Sequence, residues 1–126
     1  RTYRKYSNLD DIYENGIHDY LKFVKFGYGR TTDHSSKDIR AKIMSRNKAI
    51  KEVRKRDHIK SKDLKIWLEY VGWKEKKFDE IADSFRDPRV WWIKNKKWVK
   101  NNIWGNSSSY GKVKLPKNQW KKFYIE

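Results

Sequence analysis

Between Gly27 and Arg40 the chain gathers two glycines, an imidazole, two carboxylates and three cations: Gly27, Gly29, Arg30, Asp33, His34, Lys37, Asp38 and Arg40. These types can do two kinds of chemistry. Arg30, Lys37 and Arg40 can neutralise a phosphate or carboxylate, arginine as a planar fork and lysine as a point charge. His34 beside Asp33 can hold or move a proton near neutral pH. Gly27 and Gly29 permit positive φ or close backbone approach, and Thr31, Thr32, Ser35 and Ser36 add hydroxyls. The expected arrangement is a turn feeding a helix capped by Ser35 or Ser36 and running to Met44. Lys37 and Arg40 then lie one turn apart, beside an N-terminus that favours anions. The plain alternative is a capped loop whose His–Asp pair is a structural hydrogen bond. The residues alone leave both open.

A second candidate is Arg86 and Arg89, which flank Asp87-Pro88 and can present a fork to an anion. Its rival is a helix C-terminus with arginines on the dipole and proline after the stop. No metal site is expected: the chain has no Cys, and no two of His18, His34 and His58 fall at helical ligand spacing. Nucleotide loops of the G-x-x-x-x-G-K-[ST], G-x-G-x-x-G and S-G-G-x-D-S types are missing from the sequence.

The elements that must position these residues are mostly helical. Residues 8–26 carry Leu9, Ile12, Tyr13, Ile17, Tyr20, Leu21 and Val24 on one face, with Asn8 as cap, Gly16 as a soft point and Gly27 as the stop. Ile39 and Ile43 lie four apart in the next segment. Ser45 caps a helix with Ala49, Ile50 and Val53 inward, and Ser61 caps one with Leu64, Trp67, Leu68 and Val71 inward and Gly72 closing it. A further helix runs from about Lys74 to Phe85 and buries Phe78, Ile81, Ala82 and Phe85. After Pro88, VWWIKNKKWVK predicts a β-hairpin turning at Asn95-Lys96, with Trp92 and Trp98 as a cross-strand pair. Trp91 and Trp92 read as core. The fold class is therefore mainly α: a compact array of four to five short helices with a C-terminal hairpin. Residues 1–104 form the domain, with the hairpin at 90–100, and 105–126 a linker and tail.

With 126 residues the chain suits one domain, burying roughly two-thirds of its unfolded surface. Hydrophobic residues make up 37%, but seven Trp, eight Tyr and five Phe concentrate that content in large side chains. No apolar run reaches a membrane span and no signal segment appears, so a soluble cytoplasmic protein is the default expectation. The net charge of +16 attracts polyanions. The basic residues are spread along the chain, densest between Lys48 and Lys65, and nucleic acid is not the favoured partner. The chain opens at Arg1 without an initiator Met, which favours a portion of a longer polypeptide.

Three blocks resemble a known family: YLKFVKFGYGRTTDHSSKDIR at 20–40, DLKIWLEYVGW at 63–73 and FDEIADSFRDPRVWWIKNKKWVKNNIW at 78–104. Over residues 8–104 the chain resembles the C-terminal part of the N-acetyl sugar amidotransferases. These belong to the PP-loop ATP-pyrophosphatase superfamily and act in bacterial surface-polysaccharide, LPS and nonulosonic-acid biosynthesis. The resemblance implies ATP-dependent conversion of a sugar acetamido group to acetamidino. It implies ATP with Mg held mainly by an N-terminal PP-loop domain outside this chain, and ammonia from glutaminase and cyclase-like subunits. This chain alone is then expected to be inactive. Under the resemblance His34 and Asp33 become catalytic candidates, and Gly27, Gly29, Arg30, Lys37, Arg40, Arg86 and Arg89 candidates for holding anionic substrate. Asn95-Lys96 stands where relatives resemble Asn-Gly, which should loosen the turn. The rival readings are a stand-alone basic module for nucleic acid or anionic polysaccharide, and a partner-docking domain using 90–104.

Overall fold

A computed structural model describes Tyr3 and residues 15–100. Five helices precede a two-stranded hairpin: α1 (Asn15–Phe26), α2 (Arg30–Arg40), α3 (Arg46–Arg56), α4 (Asp63–Val71), α5 (Glu75–Ser84), β1 (Trp91–Lys94) and β2 (Lys97–Lys100). The fold is mainly α, as the patterning predicts. Two compact units divide the chain between Arg86 and Asp87. The Asn8 cap, residues 8–14 and the 105–126 tail lie outside the described residues.

In the first unit α1 packs against α2, α4 and α5, and α2 packs against α3. Apolar residues at helical spacing explain the central place of α1. Its Ile17 and Val24 join Leu64, Phe78 and Ala82 in one buried cluster, with Tyr20, Leu21, Trp67 and Leu68 packed around it. The Trp67 ring meets Phe78 and Trp73 edge-on, centroids 5.9 and 5.6 Å apart. Each large side chain so buried contributes about 1.5–3 kcal/mol. Gly16 has a packing role. It is buried in the first turn of α1, where a Cβ would lie 2.2 Å from Ser61 Cβ, so its missing side chain lets the entry to α4 approach.

Several helix ends follow the punctuation. Gly27 leaves α1 at φ 78° and donates its N–H to Phe23 O at 2.8 Å. Ser45 caps α3, its Oγ accepting Lys48 N–H at 3.3 Å. Ser61 stands one residue before the observed N-cap of α4, Lys62, and its Oγ accepts Asp63 N–H at 3.2 Å. Gly72 closes α4 at φ 69°.

Several expectations are corrected. The helix expected to start at Ser35 or Ser36 and end at Met44 runs instead from Arg30 to Arg40, placing both serines in its interior. The reason is a cap from elsewhere in the chain, described below. Ile43 consequently falls in the turn after α2 and is 76% exposed. On α5, Phe78 and Ala82 take the inward positions, which rotates Ile81 and Phe85 outward to 38% and 57% exposure. In the hairpin Ile93 faces Trp98 and Trp92 faces Val99. Successive strand residues alternate faces, so Trp92 and Trp98 lie on opposite faces and form no cross-strand pair. Trp91 is buried as expected, whereas Trp92 is exposed. The turn residues Asn95 and Lys96 both take positive φ (51° and 59°), the two-residue geometry that matches strand twist.

Candidate functional site

Because α2 begins at Arg30, its candidate residues share one stripe. At about 3.6 residues per turn, Arg30, Asp33, His34, Lys37 and Arg40 run down one flank. Thr31, Ser35 and Asp38 form a second stripe, and all three are buried. Within the first stripe, Asp33 accepts from Lys22 Nζ, while the His34 ring meets Tyr3 edge-on at 6.1 Å.

The N-terminal end of the stripe is locked into the protein. Asp57, buried at the end of α3, accepts Gly29 N–H at 2.9 Å, Thr31 N–H at 2.9 Å and the Thr32 hydroxyl at 2.6 Å. The helix dipole and its unsatisfied N–H groups therefore already hold an anion, and it is the chain's own carboxylate. Each glycine uses one of its two freedoms. Gly27 supplies positive φ, whereas Gly29 has φ −122° and supplies space, since a Cβ there would lie 2.9 Å from Asp57 Oδ1. Arg30 Nε lies 3.9 Å from Asp19 Oδ2, with both side chains largely buried. Lys22 also covers the Tyr28 ring, 5.0 Å from its centroid.

Asp57 was not singled out in the sequence, although one signal existed. It ends a basic helix, where a carboxylate opposes the dipole of its own helix. An acid misplaced for its own element is serving another.

The C-terminal end of the stripe is open. Lys37 and Arg40 are both exposed, and neither enters an ion pair among the described residues. His34 is half-buried between the two ends. What this flank can do chemically is offer two cations one turn apart and an imidazole to an anionic ligand.

The second candidate is turned onto neighbouring carboxylates. Arg86 Nε donates to Asp83 Oδ1 at 2.7 Å within the first unit. Arg89 grips Asp87 through its guanidinium, and its N–H donates to Asp87 Oδ1 at 2.8 Å, within the second. Burial pushes the Asp87 carboxyl up, but those hydrogen bonds and the Arg89 charge outweigh it and hold the group below the ordinary range. Elsewhere, burial pushes the Tyr20 hydroxyl up despite the nearby charges of Lys60 and Arg86. Lys60 bonds both Glu75 and Asp79 at 2.6 Å, and these acceptors raise its pKa against the opposing effect of burial.

Among the described residues no group of three or more His, Cys, Asp or Glu could hold a metal ion. No described helix is long and apolar enough to cross a membrane. Fold and flank together define a small helical domain with a cationic, solvent-facing edge on α2. A family model described as "LPS biosynthesis protein WbpG-like, C-terminal domain" matches residues 1–104, and the chain belongs to this family. A search of curated proteins finds no match.

Proposed function

We propose that this domain completes an ATP-dependent N-acetyl sugar amidotransferase of surface-polysaccharide biosynthesis. The observation that carries the reading is the family match over residues 1–104. In the overall reaction the acetamido oxygen is exchanged for an NH from ammonia. ATP takes up the oxygen and leaves as AMP and pyrophosphate. The described residues do not fit ATP with Mg: they form no phosphate loop, and the N-terminus of α2 is filled by Asp57. ATP chemistry is accordingly assigned to the PP-loop portion of the enzyme, and ammonia supply to glutaminase and cyclase-like partners.

This domain's part is to hold the sugar. Lys37 and Arg40 neutralise an acidic or nucleotide-linked group, and His34 lies within the same stripe to donate or accept a proton. Arg30 and Asp33 act as positioning residues, since α1 anchors both through Asp19 and Lys22.

The test uses the protein from its complete reading frame, with ATP, Mg, ammonium and a panel of acetamido sugars. Expected are AMP and pyrophosphate release that depends on the sugar, and the mass change for replacing oxygen by NH. Lys37→Gln and Arg40→Gln should each raise the sugar KM about tenfold, the scale of a lost charge-assisted hydrogen bond, with kcat little changed. Absence of sugar-dependent AMP release across the panel would sink the reading.

A further inference from the structure

The turn joining α2 to α3 combines two features that the sugar-holding role leaves unused. Residues 41–56 contain seven cations and one carboxylate, Glu52. That carboxylate is bound to Arg56 Nε at 2.8 Å, a hydrogen bond that holds it below the ordinary carboxylate range. The nearest preceding acid, Asp38, is buried. In the middle of this charge stands Ile43, 76% exposed.

The turn holds Ile43 outward on an ordered backbone. Asp38 O accepts both Ile43 N–H at 2.9 Å and Met44 N–H at 3.3 Å, and Lys42 takes positive φ (59°) to allow it. Ser45 then caps α3. Lys42 and Arg46 flank the isoleucine, and Lys48, Lys51 and Lys55 continue along the outer face of α3 at helical spacing, all exposed.

We propose that this turn and the outer face of α3 dock the domain on an anionic phospholipid bilayer. Charge complementarity selects the partner class, because basic clusters concentrate at the negative surface of such a membrane. Ile43 selects within that class. An apolar side chain ringed by cations can enter the acyl boundary while its neighbours stay among the headgroups. A nucleic acid would use the same cations, so the test below sets an oligonucleotide against the bilayer. Docking of this kind lies on the bilayer rather than through it, consistent with the lack of any spanning helix among the described residues. The proposal stands whether or not the amidotransferase reading does.

Co-sedimentation of the full chain with vesicles tests it. Vesicles of phosphatidylcholine alone are compared with equal parts phosphatidylcholine and phosphatidylglycerol at about 0.15 M salt. Binding is expected only with phosphatidylglycerol, and should weaken as salt rises. Neutralising Lys42, Arg46 and Lys48 to Gln should weaken it roughly a hundredfold, about fivefold per cation. The same neutralisation of exposed Lys62, Lys65 and Lys76 should cost far less. Ile43→Ser should weaken binding about tenfold and leave the salt dependence intact. All these positions are exposed, and retained helical circular dichroism shows that each variant folds. No binding to the anionic vesicles overturns the proposal, as does equal loss from the distal set. It is equally overturned if Ile43→Ser has no effect and an oligonucleotide binds more tightly than the vesicles.

Discussion

The two ends of α2 are built from the same kinds of residue and have opposite fates. At the N-terminal end, Arg30 and Asp33 meet Asp19 and Lys22, and the backbone N–H groups meet Asp57. At the C-terminal end Lys37 and Arg40 face solvent. A charged residue in a loop or helix thus says little about function until its partners are known. The closed end shows where a cluster builds the domain. The open end leaves its charge facing solvent.

The strongest way to break this contrast is Asp57→Ala. It leaves two buried N–H groups and a hydroxyl unsatisfied, and should destabilise the domain by about 3 kcal/mol in denaturant melts. Asp57→Asn keeps part of the network and should cost about half as much. Gly29→Ala pushes a Cβ against Asp57 Oδ1 and should cost about 1–2 kcal/mol. Retained stability in either variant would show that the N-terminal end is not locked by Asp57. Ser35→Ala probes the buried stripe. Ser35 is 2% exposed and its Oγ lacks a hydrogen-bond partner among the described residues, so the change should be neutral or stabilising by up to about 1 kcal/mol. At the open end, Lys37→Ala and Arg40→Ala should shift stability by less than about 0.5 kcal/mol, while raising the sugar KM of the complete enzyme. Equal losses of stability at both ends would erase the distinction.

The smallest effects are in pH. Glu52 and Asp87 have folded pKa values below their ordinary ones, so their stabilisation is present above the ordinary carboxylate range and is lost as pH falls through the depressed values. Lys60 runs the other way: raised by Glu75 and Asp79, it contributes below its ordinary pKa and loses that contribution as pH rises through the folded value. Thermal melts across pH should flatten slightly on the acid side in Glu52→Gln and on the alkaline side in Lys60→Gln.

Much of the helical order was legible because it depends on local signals. Ser45, Ser61, Gly27 and Gly72 mark ends through bonds within a few residues, and Ile17, Val24, Leu64 and Phe78 reveal inward faces by period. The hairpin was legible for the same reason. What failed were inferences that needed a partner. Ser35 and Ser36 looked like caps because nothing local showed that Asp57, more than twenty residues on, would start the helix earlier. Ile81 and Phe85 fit the apolar period of α5 as well as Phe78 and Ala82 do, and packing alone decided which pair turned inward. The candidate site was visible as a cluster but not as a division between anchored and open residues.

Taken by itself, the sequence determined a mainly helical, strongly basic domain with a terminal hairpin, together with its family. The family rests on the three blocks at 20–40, 63–73 and 78–104; the other properties follow from composition, period and punctuation, which act over one or two turns. Only the tertiary structure decided which charges are spent. Asp57 reaches the start of α2 because α2 and α3 pack together, and the same packing leaves Lys37, Arg40 and Ile43 at the surface. The physical reason is that an anion site or a cation matters only through what stands a few ångströms away, and folding brings distant segments to that distance.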